Sequence, residues 1–380
     1  MGTDGPLPGM PEIPGVPNIP GMGGNKPKKP TPTSRAPAKP RPKAVDLDSH
    51  RRKLGDEISA YPSTTTYVDL IRRNKRESVL LIGAMLVVMA LLFGSIFALV
   101  GGSRSEGVIL PAAITGAVAG LLFAGLGATW SWFGGAGAIL AMSGAKQLTK
   151  EQDPELFNVV DEMRIAAGLP MPKIYMIEDS AMNAFATGRD PEHGVVAITR
   201  GLRDKLTRDE LQGVMAHEMA HIRHYDIRFA LLMATMVGLI VFAADVFLRM
   251  LFYSRVGSSR SSNKGGGAAM IILVVATIVL AILAPILARM IQMTYSRRRE
   301  FMADAGAVEL TRNPEGLASA LAKLADDPEP LVEVANRGTA HMYITNPLKK
   351  ARASHGQKDS VFSSHPPIRK RIAALLALLR

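Results

Sequence analysis

Four long apolar runs constrain this chain more than any other feature of its sequence. Residues 78–100 and 108–142 carry no charge, residues 229–253 carry only Asp245 and Arg249, and residues 268–288 are again uncharged. A helix rises 1.5 Å per residue, so about 20 such residues cross the hydrocarbon core of a bilayer. The runs fall into two pairs, each joined by a short polar stretch, and two membrane hairpins are the economical reading. The second run is longer than one span needs, and its helix is expected to end near the Gly134–Gly135 pair. In the third run Asp245 and Arg249 are four apart on one helical face, close enough to pair. Pro285 in the fourth is tolerable in a membrane helix.

The charges flanking these runs set the expected topology. Arg72, Arg73, Lys75 and Arg76 precede the first run and Lys146 and Lys150 follow the second. Arg223 and Arg228 precede the third, and Arg297, Arg298 and Arg299 follow the fourth. The opposite loops carry Arg104 in one, and Arg255, Arg260 and Lys264 in the other. This balance favours the N-terminus and the polar segments on the cytoplasmic side. The second hairpin, with its basic outer loop, has two alternatives: burial in a folded domain, or a place at the membrane interface. The formal charge of +12 therefore fits an anionic bilayer surface, and no nucleic-acid-binding module is present. Residues 1–45 are a Pro-, Gly- and Lys-rich tail with too little apolar surface to offset the entropy of ordering. Residues 46–76 form a juxtamembrane segment ahead of the first hairpin, residues 77–142.

Between and after the hairpins the patterning is that of a water-soluble domain. Helical spacing runs over 155–167. Short strands are expected at 173–177, 183–188 and 194–199, the last two joined by a polar turn. A helix over 207–225 opens on Thr207 with Glu210 three residues later, a capping-box pattern. Further helices are expected over 299–310 and 314–325, with a basic, Leu-rich helix from Pro367. The whole is an α+β domain, mostly helical, interrupted by a membrane hairpin. Its first part is residues 143–228, the second hairpin 229–292, and its second part 293–380.

Residues 217–221 read His-Glu-Met-Ala-His. Positions i and i+4 share a helix face, so His217 and His221 can both turn a ring nitrogen to one zinc ion. Glu218 then sits beside the metal, where a carboxylate can take a proton from water and pass it to a leaving amine. A chance match of this pattern is expected in roughly one case in a hundred for such a composition. Leu211, Val214 and Met215 give the helix an apolar side to pack, which further disfavours chance. The chain has no cysteine, so every metal ligand must be His, Asp or Glu.

A catalytic zinc site needs a third protein ligand and an open position. Glu300, in the run Ser-Arg-Arg-Arg-Glu-Phe-Met-Ala-Asp, is the best candidate. It is remote in sequence, but the second hairpin leaves the membrane face soon after His221 and returns just before Glu300. Asp304, one turn on, is placed to accept the second ring N–H of a ligand histidine. Taken alone, Glu300 and Asp304 would read as a solvated helix end. Asp226 is a weaker candidate for a hydrogen bond at the end of the His217 helix. His193, His224, His341 and His355 read as solvated.

The HEMAH motif, the distal E-x-x-x-D and the closing Ser-His-Pro-Pro-Ile-Arg-Lys-Arg-Ile resemble the HtpX family of membrane-bound zinc endopeptidases, relatives of the CaaX prenyl endopeptidases. The likeness runs from about residue 70 to the C-terminus, with the motifs in the family's order. It implies one zinc ion per chain on His217, His221 and Glu300, with Glu218 as general base and acid, in a gluzincin-type α+β fold. It also implies a multi-pass protein of a bacterial inner membrane, its site facing the cytoplasm, acting on misfolded or membrane polypeptides under stress. Asn183, Ala184 and Phe185 match the family's strand beside the cleft, to whose edge an extended substrate could add; Phe185 reads equally as a core aromatic. His365 matches a late histidine that could donate to a developing oxyanion. Arg371 matches a late arginine that could instead tie the last helix to the active-site helix. The Pro-rich tail lies outside the family core.

These readings converge on an integral membrane zinc endopeptidase with polypeptide substrates and a lipid bilayer as partners. The rival from another class is a catalytically quiet membrane scaffold with a structural zinc, for which an intact Glu218 has no use. A non-peptidase zinc hydrolase, for instance one that processes lipids, is a third class that fold analogy leaves open.

Overall fold

A computed structural model of the chain describes residues 45–54, 67–102, 106–257, 268–327, 344 and 366–378, all within the unit Arg41–Arg380. The expected tail, but for its last residue, lies outside the described residues, as do Arg104, Arg260, Lys264, His341, His355 and His365.

A short helix, α1 (Leu47–Lys53), precedes α2 (Tyr67–Gly102) and α3 (Ile109–Met142), the two helices of the first hairpin. The Gly134–Gly135 pair does not end α3, contrary to the sequence expectation. Instead Gly135 lets a neighbouring helix come close, since a Cβ there would lie 2.9 Å from the Leu231 side chain. The last turns of α3 thereby become part of the polar domain, where Ile139 and Leu140 pack with Ile177, Phe185 and Ala197.

The domain's described strands form one four-stranded sheet in the order β1-β2-β4-β3. They are β1 (Lys146–Gln147), β2 (Lys173–Ile177), β3 (Ala184–Thr187) and β4 (Val195–Thr199). β2 and β4 run parallel, with Tyr175 opposite Ala197. β3 is an antiparallel edge strand with Phe185 opposite Ala197. The two-residue β1 has too little apolar pattern to be read from sequence, and neither does α5 (Arg200–Lys205), which caps on Thr199.

Helix α4 (Pro154–Ala167) starts at Asp153, whose side chain accepts the Leu156 N–H, and stops at Gly168 in the left-handed region. Helix α6 (Arg208–Arg223) carries the expected capping box between Thr207 and Glu210. Buried Glu210 also accepts Ser319 Oγ and Lys323 Nζ, both at 2.6 Å, from α9 (Pro314–Asp326). That network anchors the start of α6. Its inner side, with Leu211, Val214 and Met215, fills the main core together with β2, β4, α4 and the closing helix α10 (Ile368–Ala377).

The second hairpin is α7 (Asp226–Gly257) and α8 (Ala268–Thr311). The separate helix expected over 299–310 is the continuation of α8 past the membrane run, unbroken through Pro285. Among the described residues four helices are long and apolar enough to cross a membrane. The second hairpin packs against the first through Met85, Met89 and Leu92 on one side and Met236, Ile240, Ala281 and Ala284 on the other. It turns Phe242, Met250, Ile272 and Ile282 outward. It is therefore packed with the first hairpin in one apolar helix bundle and is not enclosed in the polar domain. Asp245 and Arg249 pair at 2.8 Å on its exposed face. At the other end Arg228 lies over the Trp132 ring, 4.4 Å from its centroid, as suits a membrane boundary.

Candidate metal centre

Helix α6 brings His217 and His221 onto one face, their rings edge to face with centroids 4.7 Å apart. Glu300, on α8, meets them from across the hairpin. Its carboxylate lies 3.7 Å from His217 Nε2 and 3.8 Å from His221 Nε2. One ligand atom from each of the three residues lies within 4.8 Å of the others. In a tetrahedral zinc site, with bonds of about 2.0–2.2 Å, donor atoms sit roughly 3.3–3.6 Å apart, so the set fits with small side-chain adjustments. Two imidazoles and a carboxylate are also the donor chemistry that zinc accepts in a catalytic site.

Burial prepares these groups. His217 and Glu218 are almost fully enclosed and Glu300 is 5% exposed. Burial, with the His217 charge adding to it, drives His221 well below its ordinary pKa, which favours the neutral imidazole that a metal requires. Burial also pushes the Glu218 carboxyl up to about 7; the His217 charge opposes the shift and the Glu300 carboxylate adds to it. Glu218 leans on the edge strand, accepting the Ala186 N–H, while its Oε2 is buried without a hydrogen-bond partner among the described residues.

The outer contacts of the two histidines are with carboxylates. His217 Nδ1 is 3.0 Å from Asp304 Oδ1, the contact anticipated for Asp304. Arg371 of α10 grips both Asp304 oxygens, at 2.9 and 2.7 Å, and reaches Glu300 Oε2 at 2.8 Å. Arg371 is completely buried. Burial works against its charge, but the Asp304 and Glu300 carboxylates outweigh it and hold its pKa above the ordinary value. The last helix is thus tied to the ligand set itself.

Two residues of this centre escaped sequence reasoning or were given too little weight. Asp226, the first residue of α7, has Oδ2 3.0 Å from His221 Nδ1. Arg299, read from sequence as a surface charge flanking the membrane, is buried and pairs with Asp226. The available signals were a carboxylate at the start of an apolar span and an arginine adjoining a ligand candidate. His224, expected to be solvated, is buried at the C-terminal cap of α6; His193 is exposed as expected.

Of the expected substrate strand, Asn183 and Phe185 are buried. Asn183 N–H donates to Thr199 Oγ1, and Phe185 packs with Ile139, Ile177 and Ala197. Phe185 is thus a core aromatic. The outward carbonyl of Ala184 accepts the Ile344 N–H at 2.9 Å, and the Ile344 carbonyl in turn accepts Arg371 Nη1 at 2.9 Å. The chain's own backbone therefore already uses one of the two outward carbonyls of β3.

The sequence model of peptidase family M48 matches residues 150–379. A protease HtpX homologue of Dictyoglomus thermophilum is 48% identical over 237 residues, 62% of this chain and 73% of that protein. One of Listeria monocytogenes serotype 4a is 43% identical over 310 residues, 80% of this chain and 97% of its own. The crystal structure of S. mikatae Ste24p shares 21% identity at a TM-score of 0.36, over 73% of this chain and 66% of that one, a likeness too remote to bear on the site.

Proposed function

The chain belongs to peptidase family M48 and is a membrane metalloprotease, and from that premise we propose that it is a zinc endopeptidase with its metal on His217, His221 and Glu300. The observation that carries the reading is the buried Glu218 carboxylate beside that three-donor set, one oxygen without a hydrogen-bond partner among the described residues. When bound, zinc supplies a Lewis acid that brings the pKa of water towards neutrality. Glu218 Oε2 takes the proton of the attacking water and delivers it to the leaving amine nitrogen. Asp304 holds His217, and Arg371 holds Asp304 and Glu300. A role for His365 as donor to the oxyanion rests on the family resemblance alone.

A substrate in extended form adds to the outer edge of β3 at the Ala186 carbonyl, which points away from β4, and displaces Ile344 from the Ala184 carbonyl where it extends further. Backbone pairing of this kind reads little side-chain identity, which suits misfolded or membrane polypeptides as substrates and a role in quality control under stress. The basic flanks of the four apolar runs support a site on the cytoplasmic side, and the bacterial HtpX relatives support a bacterial inner membrane. A scaffold with a purely structural zinc has no use for a base buried next to the metal, so the catalytic reading is preferred. Glu218→Gln tests it. Zinc is expected to stay bound while cleavage of an unfolded membrane protein falls about 10²–10⁴-fold. Unchanged cleavage with zinc retained would overturn the mechanism.

A further inference from the structure

Both histidines turn Nε2 towards Glu300 and Nδ1 towards an aspartate. For His217 the aspartate is Asp304, gripped through both oxygens by Arg371. For His221 it is Asp226, at 3.0 Å. The second oxygen of Asp226 pairs with the Arg299 guanidinium, and Arg299 Nη1 donates to the Asp226 carbonyl at 2.8 Å. Asp226 and Arg299 are each 3% exposed, so this is not a solvated surface pair.

We propose that Asp226 and Arg299 are positioning residues for His221, Asp226 fixing the ring and Arg299 fixing Asp226. The inference rests on the zinc reading above and adds that the centre has a second His–Asp–Arg arm beside that of His217, Asp304 and Arg371. A neutral imidazole has one N–H and one lone pair. Donation of the Nδ1 proton to Asp226 selects the tautomer whose Nε2 lone pair faces Glu300 and the metal. Without that acceptor, the ring is free to rotate or to place its proton on Nε2.

The path of the backbone supports a built contact. Tyr225 adopts a positive φ of 60°, uncommon for a residue with a bulky side chain. It separates α6 from α7, and Asp226, the residue that follows it, meets His221 five residues back. Such conformations persist where the surroundings require them. Arg299 arrives on α8 as the immediate neighbour of Glu300, so the second hairpin delivers a ligand and a complete positioning pair together.

The test uses the full chain in detergent, loaded with zinc and challenged by a chromophoric chelator, or loaded with cobalt(II) for its ligand-field spectrum. Asp226→Asn is expected to weaken zinc binding about 10–100-fold and alter the cobalt spectrum, and Asp304→Asn on the other arm is expected to do the same. Removing one charge of a buried pair can unfold a protein, so a second variant combines Asp226→Leu with Arg299→Met and leaves neither charge unpaired. It is expected to keep the thermal midpoint of the metal-free protein while losing the same zinc affinity. Wild-type affinity and an unchanged cobalt spectrum in that double variant would overturn the proposal. So would a fall in the metal-free midpoint that accounts for the lost affinity, since the pair would then serve the fold alone. If the wild-type chain binds neither zinc nor cobalt, the zinc reading itself fails and this inference fails with it.

Discussion

The first hairpin, α2 with α3, and the second, α7 with α8, are both apolar helix pairs long enough for a bilayer, yet their polar ends differ. The first ends in packing: Ile139 and Leu140 of α3 enter the domain core. The second ends in chemistry, with Asp226 opening α7 and Arg299, Glu300 and Asp304 following one another along the last turns of α8. Hydropathy cannot distinguish a helix pair that anchors a site from one that supplies part of it. The distinction lies in charged residues that should be costly next to a membrane and are instead buried in mutual contact.

The severest way to strain this contrast is to remove the cation that holds the end of the second hairpin. Arg371→Met leaves Glu300 and Asp304 as neighbouring buried carboxylates without their shared partner. The expected cost is about 3–5 kcal/mol, read as a lower thermal midpoint together with loss of zinc. Survival of both would mean that α10 does not stabilise the ligand set.

A lesion in the first hairpin should behave differently. A Cβ on Gly116 would lie 2.5 Å from the Phe93 carbonyl oxygen and from Phe97 Cβ, so Gly116→Ala forces α2 and α3 apart. About 1–3 kcal/mol of stability should go, with zinc affinity per folded molecule unchanged. An equal loss of affinity would show that the hairpins are not separable in the way described.

The smallest effect is expected away from both hairpins. Burial disfavours the Asp153 carboxylate, but hydrogen bonds from Arg203 and the Leu156 N–H outweigh it and hold its pKa below the ordinary value. Asp153→Ala should cost about 1 kcal/mol at neutral pH through loss of the helix cap. The folded-state pKa is depressed, so the contribution is complete above the unfolded value of about 3.9 and is lost as pH falls through the folded one. Stability curves of wild type and variant should therefore converge in acid, with zinc binding at neutral pH untouched.

Much of this architecture was legible before any coordinates. The spans, the capped α6, strands β2 to β4 and the grouping of His217, His221 and Glu300 follow from periodicity, capping residues and the return path of a hairpin. What escaped detection depends on tertiary contact. Gly134–Gly135 carries the signature of a helix end, and only Leu231 on a neighbouring helix explains why it is a packing notch. Arg299 looks like its two basic neighbours until Asp226 is brought against it from across the hairpin. The continuity of α8 through the basic run was hidden because membrane and polar stretches of one helix carry different patterns.

The central claim is that the metal centre is completed by the second hairpin, and zinc binding by Glu300→Ala tests it most directly. The account predicts one tightly held zinc per wild-type chain and binding weaker by at least about 100-fold in the variant, with the metal-free fold retained. Wild-type zinc affinity in Glu300→Ala would contradict it, because the hairpin would then contribute no ligand.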